Sequence, residues 1–184
     1  MLRGLTNSRN PPWLELVQLV PIITLAFPFI VAGKIDLAAA GNGVLVAAAL
    51  TVLVSALVLA KKGILNPILL GTGLWLWVSA AAFKVPLNAL VAWLSDAQGF
   101  GLFVGVLVVG VPSSAWSPQG FIGCRHDDRR WIRSASLTLL LLAAIAAGWS
   151  WVFRHNIRAG GGLPFIVLNV ARRLLMRRAP AARS

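Results

Sequence analysis

The stretch "RHNIRAGGGLPFIVLNVARRLLMRR", residues 154–178, decides the topology of this chain. Two arginines and a triple glycine precede an apolar run, and four more arginines close it. Wound as a helix at about 100° per residue, it sets Val167, Leu168, Val170, Ala171, Leu174 and Leu175 on one face. Asn169, Arg172, Arg173 and Arg177 take the other. That segregation suits a helix lying in the membrane interface, where charged heads stay wet while the apolar face sinks into acyl chains. On this reading Arg172, Arg173, Arg177 and Arg178 bind anionic lipid headgroups, and Gly160, Gly161 and Gly162 supply the bend. The same residues also suit a short crossing sheltered by protein, with the arginines snorkelling outward.

Composition makes lipid the solvent. The chain has 184 residues, of which 58% are hydrophobic and 12% charged, against about 25% charged in ordinary soluble domains. Mean hydropathy is +0.81. A net charge of +12 raises the question of nucleic acid, but the basic residues stand in short runs between long apolar segments. Clusters at the ends of apolar spans are what the positive-inside bias produces, so a nucleic-acid partner is not expected. The single cysteine, Cys124, excludes an internal disulfide framework and a thiolate metal cage.

A spanning helix needs roughly 20 apolar residues. Five segments reach that length, at about 13–32, 37–60, 64–83, 99–116 and 134–153. "GVLVAAALTVLVSALVLA", residues 43–60, lacks the alternating polar residues of a barrel strand. The fold expected is therefore all-α, a polytopic transmembrane helix bundle over 13–178, with five spans and an amphipathic or short sixth helix over 163–178. Residues 1–12 and 179–184 read as polar tails. The first apolar run carries Glu15, Gln18, Pro21 and Pro28 with no small-x-small cleavage site, so it reads as a retained helix. "KVPLNALVAWLSDAQ", residues 84–98, reads as an interfacial helix with Trp93 at headgroup level.

Charge counting separates five crossings from six. With five and a cytoplasmic tail, nine basic residues lie inside and eight outside. With six, thirteen lie inside and four outside, which obeys the positive-inside rule. Against six stands arginine near mid-membrane, at about 2.5–3.5 kcal/mol each. Six is favoured, and the C-terminus is cytoplasmic in both.

Candidate chemistry is sparse. Glu15 and Gln18, early in the first span, are candidates for a proton or cation path, although Glu15 is near enough to the interface to reach water. "CRHDD", residues 124–128, gathers metal-ligand types, but consecutive loop residues rarely converge on one ion and the neighbouring arginines repel a cation. Asn66 and Pro67 read as an ordinary helix start. Gly101 and Gly105 form a G-x-x-x-G pair suited to close helix packing, within the molecule more than between copies. No histidine lies inside a span to ligate haem, so no cofactor is expected. With five acidic residues and no nucleophile–base pair, an enzyme is not expected either.

Three stretches carry a resemblance: "WLELVQLVPIITLAFPFIVAG" at 13–33, "RRWIRSASLTLLLLAAIAAGWSWVF" at 129–153 and "LPFIVLNVARRLL" at 163–175. In this layout the chain resembles the intracellular septation protein A family, small polytopic proteins of the bacterial inner membrane. The arginine pair inside the last segment departs from a clean final span. The resemblance implies a place in envelope organisation or division through membrane partners, and transfers no catalytic residues. Two functions follow. One is a non-enzymatic scaffold or assembly factor in the bacterial cell envelope, binding lipids and other membrane proteins. The other is a small oligomeric transporter or permease with a path near Glu15 and Gln18.

Overall fold

The computed structural model describes residues 10–24, 37–84, 88–124, 126–154, 156 and 158–179. Among them every regular element is helical. Helix α1 (Pro12–Val17) opens on a proline, whose missing N–H costs nothing in a first turn. The chain turns at Gln18 and Leu19 and is helical again over residues 20–24. Then come α2 (Leu37–Ala60), α3 (Pro67–Lys84), α4 (Asn88–Trp116) and α5 (Arg129–Val152). A π-helical turn, Arg158–Gly162, leads into α6 (Leu163–Arg177).

Consecutive long helices run antiparallel. Gly71 of α3 abuts the backbone at Gly105 and Val106 of α4, while Trp75, one turn later, covers Gly101, one turn earlier. Gly110 of α4 meets Leu140 of α5, and at the far end Phe100 packs edge-on against Trp151, ring centroids 5.1 Å apart. Val44, Ala47 and Ala48 of α2 share a small core with Leu76 and Ala80 of α3. The larger core lies among α3, α4, α5 and α6, around Phe103, Val106, Leu139 and Leu168. These directions put the 61–66 linker, the 117–128 loop and the C-terminal end of α6 at one end of the bundle, here the basic end. Lys84, Arg154 and Arg158 mark the other, where Arg154 pairs with Asp96 at 3.8 Å and lies over the Trp151 ring.

Among the described residues three helices are long and apolar enough to cross a membrane, over Gly41–Ala60, Gly99–Trp116 and Arg129–Val152, which marks a membrane protein. That is fewer than the five spans expected. Helix α3 begins at Pro67, not Ile64, and its described apolar stretch, Pro67–Ala82, is shorter. The first segment is described as helical only to Thr24, and the rest of its expected span lies outside the described residues.

Two further expectations are corrected. The stretch 88–98 is not a separate interfacial helix but the first turns of α4, which runs unbroken because nothing before Gly99 interrupts backbone pairing. Helix α5 starts at Arg129, five residues earlier than expected. The Asp128 carboxylate accepts from Arg130 N at 2.9 Å and Trp131 N at 3.1 Å, satisfying donors that a helix start leaves orphaned.

A methyl group added at Gly105 would press on Gly71 backbone, whereas at Gly148 it would meet nothing within 4 Å. Alanine is otherwise the better helix former, by up to about 1 kcal/mol. Gly105→Ala should therefore lower the thermal midpoint in detergent, by an overpacking cost of about 1–3 kcal/mol, and Gly148→Ala should leave it level or raise it. Equal tolerance of both would contradict the packing described.

Candidate functional site

At the basic end three polar connections meet. Helix α2 closes with paired bonds, Lys62 N to Leu59 O at 2.9 Å and Gly63 N to Val58 O at 2.8 Å. Lys62 takes the left-handed conformation, φ 53°, that this closure needs. The linker that follows would leave backbone groups orphaned inside an apolar bundle, where each is costly. Side chains of the N-terminal segment satisfy them. Asn10 Nδ2 donates to Ile64 O at 2.5 Å, and Asn10 Oδ1 accepts from Ile64 N at 2.7 Å. Gln18 Oε1 accepts from Asn66 N at 2.8 Å. Asn66 Oδ1 in turn accepts from Ile68 N at 3.1 Å, capping α3 ahead of Pro67.

The second connection is the loop after α4, and it turns inward. Gly120 (φ 60°) and Gly123 (φ 63°) adopt left-handed backbone, which lets the chain double back within four residues. Phe121 and Ile122 between them are fully buried, and Ile122 N donates to Ser136 Oγ at 3.3 Å. Gly123 rests on the Pro67 ring, so a larger residue would strike the start of α3.

The third is α6. Its Arg172 is only 6% exposed. Nε donates to Ile122 O at 2.9 Å, and Nη2 makes a longer contact with Gly123 O at 3.5 Å. Asn10 and Gln18 thus hold the 64–67 linker, Arg172 holds the buried loop, and the two sets meet where Gly123 rests on Pro67. Beside the linker a cavity of about 20 Å³ is lined by Gln18, Thr51, Ser55, Asn66 and Thr72 among apolar neighbours, which is room for about one water molecule.

The expected site residues therefore part company. Arg172, expected to face lipid headgroups, is buried, because it shares the inward side of α6 with Pro164, Leu168 and Met176. Pro164, Leu168, Arg172 and Met176 point into the bundle, while Ile166, Val167, Val170 and Leu174 face out. Arg173, Arg177 and Arg178 are exposed. Gln18 is bonded to the linker and Glu15 is half-buried one turn before it. The "CRHDD" residues diverge: Cys124 is buried, whereas Asp127 and Asp128 are at the surface. Gly101 and Gly105 lie where α3 and α4 approach most closely. Asn10 and the buried loop went unnoticed in the sequence. The loop's one signal is two glycines three apart around Phe121 and Ile122.

No family model, curated protein or solved structure matches this chain.

Removing the Arg172 side-chain charge would leave the Ile122 and Gly123 carbonyls without their described donor, at roughly 1–3 kcal/mol for an unsatisfied buried group. Arg172→Met should lower the thermal midpoint and speed amide exchange at 119–124, while Arg173→Met should change neither. Matching behaviour of the two variants would show that Arg172 does not hold the loop.

Proposed function

We propose that this chain is a multi-pass protein of a bacterial inner membrane, with six crossings and its N-terminal segment, 117–128 loop and C-terminus on the cytoplasmic side. Its role is a non-enzymatic scaffold or assembly factor that binds other membrane proteins, in keeping with the resemblance to the septation protein A family. The sixth crossing is supported by α6. Its outward side is apolar at Ile166, Val167 and Val170, as lipid contact requires, and its bond to the loop brings the tail back to the basic end. Cytoplasmic placement of that end follows from its basic residues under the positive-inside rule.

One observation carries the scaffold reading. Helix α2 packs chiefly on α3, and only 17% of its span is buried, against 39% for α5. Leu53, at 64% exposure, stands on a long apolar side with no helix over it among the described residues. In lipid, such a side associates through close packing of helices, and the alanines and Gly43 of α2 permit it. The polar cavity beside Gln18 favours the transporter reading, but the bond from Asn66 N to Gln18 Oε1 makes that side chain part of the helix connection.

Complementation of a deletion strain separates them. Leu53→Trp or Val46→Trp, at normal protein level, should abolish complementation, and Glu15→Ala should preserve it. The reverse pattern would replace the scaffold with a transport path through Glu15.

A further inference from the structure

We propose that the basic end is a composite binding surface for anionic phospholipid headgroups, built by three separate elements and not by the tail alone. This rests on the membrane reading above but on neither its orientation nor the scaffold role.

Lys61 and Lys62 are exposed at the turn that closes α2. Arg129, Arg130 and Arg133 are exposed on the first turns of α5. Arg173, Arg177 and Arg178 are exposed along the end of α6. These groups lie far apart in sequence and share one end for two reasons. Gly123 seats the loop before α5 on Pro67, just after the lysines. Arg172 ties α6 to that same loop through Ile122 O at 2.9 Å. Counter-charge is sparse at this end among the described residues: Asp128 caps α5, leaving Asp127 and the half-buried Glu15, while Asp96 lies at the other end.

The height of these residues selects the occupant. Each group adjoins an outward apolar side chain: Leu59 precedes Lys61, Leu137 lies one turn beyond Arg133, and Leu174 follows Arg173. Trp116, 84% exposed where α4 ends, suits the same level as an amphipathic anchor. Cations placed where hydrocarbon gives way to water face the phosphate layer of the leaflet. A polyanion in solution would approach from beyond this ring and need no apolar margin. Arginine forks match phosphate oxygens bidentately, and lysines add point charge. A zwitterionic headgroup carries its own cation and gains less, so selectivity for net anionic lipid follows.

The test follows the thermal midpoint of the full-length protein in a non-ionic detergent as phosphatidylglycerol, phosphatidylcholine or inorganic phosphate is added. Phosphatidylglycerol should raise the midpoint saturably by several degrees, and high salt should weaken the effect. Phosphatidylcholine and inorganic phosphate should do little. A variant with Lys61→Ala, Lys62→Ala, Arg173→Ala and Arg177→Ala should lose most of the shift, while Lys84→Ala with Arg158→Ala keeps it. Equal shifts with both lipids would overturn the proposal, as would an equal shift with inorganic phosphate or equal loss in both variants. Should the basic-end variant not fold, the wild-type comparison of the two lipids decides alone. A shift together with an inert Leu53→Trp would sink the scaffold and leave the lipid surface standing.

Discussion

The bond from Arg172 Nε to Ile122 O is the contact on which the rest of the arrangement depends. A cation taken out of water costs several kcal/mol unless its donors are met. Here a loop bends inward, through glycines at 120 and 123, to present two carbonyls to it. The exchange is mutual, because those carbonyls would otherwise be short of donors in an apolar bundle. With the loop seated on Pro67, and Pro67 next to the backbone that Gln18 and Asn10 hold, the N-terminal segment and the last helix meet at one end. Pairwise packing of neighbouring helices alone would not bring them together.

The outward surface follows from the solvent. In water, α6 would bury Ile166, Val167 and Val170 and show its arginines. The structure does the opposite at Arg172 and leaves those three outside. Lipid tails are as apolar as the side chains they touch, so burial of apolar area drives little here. Close backbone approach at Gly71 and Gly105 and buried hydrogen bonds order the bundle instead.

Much of the helical class was legible because spanning length and hydropathy are summed properties that single residues scarcely disturb. Helices over 37–60, 99–116 and most of 129–152 were visible on that ground. The inward turn of α6 was not. A helical wheel sorts residues by polarity, whereas Leu168 and Arg172 turn inward together because the loop offers the arginine its acceptors. The start of α3 was missed by three residues, since the linker's irregular backbone is held by partners 46 to 54 residues away, beyond any local pattern. Glycines 101 and 105 were readable from spacing alone, because small residues in a lipid-embedded helix have few other uses.

The most direct measurement is thiol labelling of paired cysteines in intact cells. Asp127→Cys and Arg178→Cys would be placed separately in a Cys124→Ser background and exposed to a membrane-impermeant maleimide. If the last helix returns to the loop it grips, the two positions share a side. They should then respond alike, both silent in intact cells and reactive once the membrane is opened if the basic end is cytoplasmic as proposed. Reaction of one position but not the other in intact cells would put loop and tail on opposite faces. Arg172 could then not reach Ile122.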